Sequence, residues 1–299
     1  MKKNILMTGS SGLIGSALLK YLTKEGYNVS LLKRSKVLEA NEFFWDPSRG
    51  EIDKLALKGI DVVVHLAGEP IAQRWSSSAK KRIVNSRVNG TRLLAETIAQ
   101  SKALPSLICA SGANYYGDQA EGIVDESSPP GIGFLAEVCR QWESAANLVI
   151  EAGGRVVFMR TGIVLSGHGG ALAKMLPLFK LGVGGRIGHG RQKMSWISLP
   201  DLVSAYVFAV ENESLQGAVN AVAPEPVTNS KFTKTLGKVL GRPTIFPLPS
   251  GLVKILFGEM GRETVLSNLG VFPNSLNGLG FEWQQAELET ALKQTLSSS

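Results

Sequence analysis

The sequence predicts an α/β fold, a parallel sheet with helices on both faces, followed by a small, mainly helical C-terminal lobe. Three observations carry that prediction. Short, mostly apolar runs recur at Ile5–Met7, Val29–Leu32, Leu107–Ala110 and Val156–Met159, and within Asp61–Leu66 (Asp-Val-Val-Val-His-Leu). Such runs read as strands buried on both faces. Longer stretches with apolar residues at helical spacing lie between most of them, and this alternation is the pattern of strand–helix–strand crossovers. Beyond residue 165 the character changes to glycine-rich loops and short amphipathic helices.

The first unit is the most informative. The strand Ile5–Met7 runs directly into Thr8-Gly9-Ser10-Ser11-Gly12-Leu13-Ile14-Gly15. Leu13, Ala17, Leu18, Tyr21 and Leu22 then mark a helix that Gly26 ends. The Gly-x-x-Gly-x-x-Gly spacing between strand and helix suits a dinucleotide pyrophosphate. Gly9 allows the turn, Gly12 allows close approach of the anion, and Gly15 allows the helix to pack on the sheet. Free N–H groups of residues 10–15 and the helix dipole would face the phosphates. An acidic residue at the end of the second strand would select NAD. The chain instead reads Lys33-Arg34-Ser35, with Lys36 next. Cations and a hydroxyl there suit a 2′-phosphate and so NADP (NADPH), although the same residues would also serve as a solvated basic loop.

The third strand ends in Leu66-Ala67-Gly68, and a helix over 77–100 follows. The next strand opens into Ser111-Gly112-Ala113-Asn114-Tyr115-Tyr116-Gly117, then a polar loop over 118–133. A helix over Phe134–Ala152 leads to Val156–Met159 and Arg160-Thr161-Gly162. Ligands of such sheets lie at the carboxyl ends of strands. The residues expected there are Leu66, Ala67, Gly68, Ser111 and Arg160. A short helix over Ala171–Leu181 precedes the basic loop Gly182–Arg191, in which Arg186 and Arg191 could bind a substrate phosphate or decorate a mobile surface loop. Ser198-x-x-Asp201 reads as a capping box for a helix over Leu202–Val210, Ala218–Val222 as a last strand, and 229–240 and 250–296 as helical.

Composition sets outer limits. The 299 residues are 44% hydrophobic and 19% charged, enough for a large core and one or two domains. The net charge of +7 comes mostly from scattered residues without interleaved stacking aromatics, so a nucleic-acid partner is not expected. An anionic small-molecule ligand is the simpler explanation. No apolar run reaches about 18 residues, which argues against a membrane span. Two cysteines and three dispersed histidines offer neither a disulfide framework nor a metal site. With no recognisable targeting segment, a cytoplasmic location is expected.

Taken in order, Thr8-Gly9-x-x-Gly12-x-x-Gly15, His65-Leu66-Ala67-Gly68, Ser111 before Tyr115-Tyr116-Gly117, Arg160 and Trp196-Ile197-x-x-x-Asp201 resemble an extended short-chain dehydrogenase/reductase. Residues 134–138, 169–177 and 223–229 look like its atypical epimerase-family branch, which is sugar-nucleotide epimerase-like. The resemblance implies a Rossmann-type NADP-binding domain over 1–165 with 191–223, and a substrate lobe over 166–190 with 224–299. It also implies a homodimer and a substrate-binding role for Ser111. It exposes a departure as well. The family's Tyr-x-x-x-Lys falls on Leu135 and Cys139, so neither the proton donor nor the fixed cation is present. With that dyad missing, Ser111 and either Tyr115 or Tyr116 could handle the proton as catalytic residues, and Arg87 could restore positive charge near the cofactor. Two functions follow: an NADP-dependent oxidoreductase or epimerase acting on a small carbonyl, carbinol or nucleotide-sugar, or a non-catalytic NADP(H) sensor.

Overall fold

The computed structural model describes residues 2–35, 39–119 and 122–297. In chain order it begins with strand β1 (Asn4–Thr8), helix α1 (Leu13–Lys24), β2 (Asn28–Lys33), β3 (Glu42–Asp46), β4 (Glu51–Ile52) and β5 (Val62–His65). Helix α2 (Ser77–Ala99), β6 (Ser106–Gly112), α3 (Phe134–Ser144), α4 (Asn147–Glu151), β7 (Val156–Thr161) and β8 (Ile163–Leu165) follow. The rest comprises α5 (Gly170–Lys180), β9 (Lys193–Met194), β10 (Trp196–Ser198), α6 (Leu199–Glu211), β11 (Gly217–Ala221), β12 (Val227–Thr228), α7 (Asn229–Leu240), α8 (Ser250–Met260), α9 (Asn274–Gly278) and α10 (Leu288–Ser297).

Eight strands form one sheet in the order β11-β7-β6-β5-β1-β2-β3-β4. Every neighbouring pair is parallel except β3–β4 at the edge. The chain leaves β1 towards β2 and β3, then returns to the other side of β1 with β5, so the order reverses between β1 and β5. A crevice opens at the carboxyl ends of strands at such a reversal. The expected Rossmann-type architecture is therefore present.

The apolar runs explain the layers. Ile5, Met7, Val62, Val64, Ile108, Val157 and Met159 pack against α1 and α6 on one face, while Leu6, Val63, Leu107, Cys109, Val156 and Phe158 pack against α2, α3 and α4 on the other. Beyond the sheet, α5, α7 and α10 enclose a third cluster around Phe179, Phe232 and Leu292.

Three expectations change. The edge strands β3 and β4 were not foreseen, because Glu42-Phe43-Phe44-Trp45-Asp46 lacks an aliphatic run and β4 has only two residues. The helix expected over Phe134–Ala152 breaks at Ala145–Ala146. The capping box at Ser198 forms by half: Asp201 N donates to Ser198 Oγ at 3.1 Å, but the Asp201 carboxylate accepts from Gln284 N and Gln285 N at 2.8 and 3.1 Å. It ties the C-terminal segment to α6.

Candidate functional site

The glycines after β1 have three different environments. Gly9 lies at φ +69°, and a Cβ there would meet Ala67 N at 2.7 Å. A Cβ on Gly15 would come within 2.1 Å of Gly9 O, so α1 rests directly on the turn. A Cβ on Gly12 would touch only Gly9 O, at 3.4 Å, and would otherwise project into open space. Helix α1 has no side-chain N-cap and no acidic residue in its first turn. The cradle thus combines an uncapped helix N-terminus with a bare backbone, which is what a phosphate anion requires. Gly9, Ser10, Ser11, Gly12, Leu13, Ile14 and Gly15 form it together.

At the end of β2, Lys33 forms an ion pair with the buried Glu42 of β3. Arg34 and Ser35 are exposed beyond it. Of the cations expected at a 2′-phosphate, Arg34 is the one directed to solvent; Lys36 lies outside the described residues.

Across the crevice, the Thr8 hydroxyl accepts from Leu66 N and Ala67 N at 3.1 and 3.2 Å and lies 2.7 Å from His65 Nδ1. With both lone pairs occupied, the hydroxyl donates to Nδ1, which places the His65 proton on Nε2. Burial and the nearby Arg87 charge lower the His65 pKa to about 3, so the ring is neutral. Arg87 is buried beside Gly68, its Nη1 donating to Glu69 O and Ile83 O at 3.0 and 3.2 Å, with the guanidinium 4.9 Å from the Trp142 ring centroid. Burial depresses its pKa.

Ser111, Tyr116 and Arg160 meet in a buried hydrogen-bonded chain. Ser111 Oγ donates to Glu143 Oε1 at 2.7 Å. Arg160 Nε and Nη2 donate to the two Glu143 oxygens at 2.9 and 2.7 Å. Arg160 Nη1 donates to Tyr116 Oη at 2.9 Å, and Tyr116 donates to Asn220 Oδ1 at 2.8 Å. Burial works against the Arg160 charge, but the Glu143 carboxylate overrides it and the pKa rises. Burial pushes Tyr116 up to about 12.

These contacts correct the sequence reading of three residues. Tyr116 is fully buried and cannot present its hydroxyl to a ligand in this arrangement. Arg160 is neutralised by Glu143 and does not reach the crevice as a free cation. Ser111 has its proton committed to Glu143. Tyr115 is half-buried, with its ring centroid 3.4 Å from the Arg160 guanidinium.

A cavity of about 330 Å³ lies where the turn after β6, the start of α3 and the C-terminal lobe converge. Leu135, at the position of the absent tyrosine, lines it with Asn114, Ile132, Glu259, Arg262 and Glu263. Glu263 caps α3 from the lobe: Phe134 N and Leu135 N donate to its two oxygens at 2.9 and 2.8 Å. Cys139 is buried under Gly112, and burial raises its pKa to about 11. A second cavity of about 540 Å³ is lined by Asp118, His189, Arg191, Lys193 and Asn268. Arg191 therefore faces a cavity, whereas Arg186 turns back to donate to His189 O at 3.2 Å. Among the described residues, no group of three or more His, Cys, Asp or Glu could hold a metal ion.

Residues 5–222 match the NAD dependent epimerase/dehydratase family, and residues 248–295 match a domain of unknown function. The chain belongs to the NAD-dependent epimerase/dehydratase family. It is 42% identical to the epimerase family protein Mb2239 of Mycobacterium bovis, over 96% of each chain. The crystal structure of the human epimerase family protein SDR39U1 with NADPH aligns with a TM-score of 0.90 at 34% identity, covering 99% of this chain and all of that one. A nucleoside-diphosphate sugar epimerase structure from Corynebacterium glutamicum aligns with a TM-score of 0.82 at 36% identity; it covers all of this chain but 59% of its own. The atypical extended short-chain dehydrogenase/reductase resemblance read from the motifs fits these relatives.

Within this family member, sequence reasoning missed Glu143, Asn220 and Glu263. Glu143 was legible in principle, because Leu135, Cys139, Trp142 and Glu143 share the buried stripe of α3. A carboxylate on an apolar stripe signals a buried cation opposite. Asn220 and Glu263 reach their partners only through tertiary folding, and no local spacing marks them.

Proposed function

We propose that the protein binds NADPH along the carboxyl ends of β1, β2 and β5 and acts as an oxidoreductase or epimerase on a small carbonyl or carbinol compound or a nucleotide-sugar. The observation that carries this reading is the phosphate cradle: Gly12 leaves open the one direction that a Cβ would close, at an uncapped helix terminus. When bound, the cofactor would supply hydride exchange at a substrate carbon.

The chain's residues have separate tasks in this reading. The amides of residues 12–15 bind the pyrophosphate. Arg34 and Ser35 take the 2′-phosphate, and Leu66, Ala67 and Gly68 bound the crevice. Arg87 supplies positive charge beside Gly68, next to Cys139, where the family's lysine is absent. Ser111, Glu143, Arg160 and Tyr116 hold the 111–116 turn in place. Tyr115, the expected proton carrier outside that chain, serves proton transfer. The cavity lined by Asn114, Leu135 and Glu263 takes the reacting part of the substrate, and Arg191 with Lys193 takes an anionic substituent. We assign residues 1–165 with 191–223 to cofactor binding and 166–190 with 224–299 to the substrate lobe.

Leu135 and Cys139 favour a second reading, a sensor that binds NADPH without turnover. Titration with NADPH and NADH, followed by mixing the loaded protein with carbonyl compounds and nucleotide-sugars, separates the two. Cofactor oxidation or an epimerised product establishes the enzyme. Tight NADPH binding with neither establishes the sensor, and absence of binding overturns both.

A further inference from the structure

The C-terminal lobe carries a surface that cofactor binding does not use. Among the described residues, nine large apolar side chains that are more than a third exposed fall within 178–183, 245–246 and 252–257. Leu181 is 75% exposed, Ile245 72%, Ile255 81% and Leu256 61%. Monomeric soluble proteins usually expose apolar patches of no more than a few hundred Å². Helix α8 buries Val253 alone. The rest of this helix, including Leu252, Ile255 and Leu256, is turned outwards or half-covered.

The segments form one surface. A Cβ on Gly182 would rest against Pro243 at 3.6 Å. Gly185 bridges Ile245, and Ile187 bridges Leu248. Leu248 N donates to Arg186 O, and Gly188 N donates to Leu248 O, both at 2.8 Å. Gly188 also approaches Ser250 at the start of α8. The end of α5, the 182–191 loop, the 243–248 segment and α8 therefore lie side by side.

Charge identifies the occupant. Residues 164–193 and 226–258 together contain ten lysines and arginines and no aspartate or glutamate. Lys180, Arg186, Arg242 and Lys254 are exposed beside the apolar side chains. Of the carboxylates that flank these stretches, Glu259 pairs with Lys80 and Glu263 caps α3, while Glu289 pairs with Lys238 and so offsets one of the ten cations. Two copies of this surface would repel each other. Nucleic acid would match the charge but leaves exposed isoleucine and leucine without a role. A bilayer rich in anionic lipid matches both, since its phosphates pair with the cations and its acyl boundary accepts the side chains.

We propose that α8 and the adjoining 178–191 and 242–248 segments dock the protein on the surface of an anionic lipid membrane. Lying on a membrane differs from crossing one: no helix among the described residues is long and apolar enough to span a bilayer. This inference stands independently of the NADPH reading.

The test is co-sedimentation of the full chain with vesicles of phosphatidylcholine alone and of phosphatidylcholine mixed with phosphatidylglycerol. The expected result is binding to the mixed vesicles that falls about tenfold both without the anionic lipid and at high salt. Ile255→Glu with Leu256→Glu, and separately Lys254→Glu with Arg242→Glu, should each reduce binding about tenfold, whereas Leu55→Glu, on a remote exposed site, should not. Unchanged NADPH affinity and thermal midpoint report that the variants fold. Three results would overturn the proposal: no sedimentation with either vesicle, dimerisation in place of vesicle binding that Ile255→Glu abolishes, or preferential binding of duplex DNA that is insensitive to the apolar substitutions.

Discussion

Gly12 and Gly15 differ by three residues and should fail in opposite ways when changed to alanine. At Gly12 the backbone lies at φ −76° and ψ 170°, which alanine adopts without strain. Its new Cβ would meet Gly9 O at 3.4 Å, ordinary contact, and then occupy the open side of the cradle. Exchanging glycine for alanine at an N-cap costs about 1 kcal/mol or less. Stability should therefore be nearly unchanged, while a methyl group displaces a pyrophosphate oxygen. NADPH affinity should fall by about tenfold or more, equivalent to about 1.4 kcal/mol. At Gly15 the Cβ would lie 2.1 Å from Gly9 O, so α1 must move off the turn. That change should cost about 1–3 kcal/mol by overpacking. Fluorescence titration with NADPH and urea unfolding of both variants provide the assay. Unchanged affinity in Gly12→Ala, with the protein folded, would refute the placement of the phosphates at this turn.

Arg34→Asp should lower NADPH affinity about tenfold while sparing NADH, because it removes the solvent-facing cation at the end of β2; equal losses for both cofactors would contradict the 2′-phosphate assignment. Glu143→Leu should destabilise the fold by about 3–5 kcal/mol, since it leaves Arg160 buried without its partner, and Glu143→Leu with Arg160→Met should recover much of that loss in urea unfolding. Falling pH should destabilise the protein from about pH 6.5 downwards: the unfolded chain protonates its histidines there, whereas native His65 stays neutral to about pH 3. Unfolding titrations of wild type and His65→Gln should show the shallower acid slope in the variant. Arg87→Met should raise the stability of the ligand-free protein by about 1 kcal/mol or more and weaken NADPH binding, both read in one set of melts with and without cofactor.

The sheet was legible because its central strands are buried on both faces, so Ile5–Met7 and Val156–Met159 appear as uninterrupted apolar runs and Val29–Leu32 as one broken only by Ser30. The glycine cradle was legible because strand, turn and helix are contiguous in sequence. Edge strand β3 was hidden because it has no aliphatic run and is closed at both ends by acidic residues, Glu42 and Asp46. The catalytic expectations for Ser111 and Tyr116 and the cofactor-binding expectation for Arg160 fared differently for a physical reason. Ser111, Tyr116 and Arg160 stand at strand ends in sequence, but strand-end position does not set the direction of a side chain. The partners that turn them inward, Glu143 and Asn220, come from α3 and β11. The exposed plate of α8 was equally hidden, because an apolar helical sequence reads the same whether its faces are covered or bare.

The two buried arginines show why a site can be expensive to keep. Arg160 has a carboxylate held by two hydrogen bonds, and its neighbours Tyr116 and Tyr115 complete its surroundings. Arg87 has carbonyl oxygens and the Trp142 ring, and among the described residues it forms no ion pair with a carboxylate. Carbonyl dipoles offset only part of the cost of removing a guanidinium from water. A methionine would fill much of the same volume beside Trp142 without that cost. Folding alone therefore gives no reason to hold a cation at this position, whereas an anionic ligand in the adjoining crevice would stabilise it. Strain of this kind collects where function needs it and is offset elsewhere in the structure. That is why opposite responses of stability and affinity to the loss of Arg87 would separate a ligand-binding role from a purely structural one.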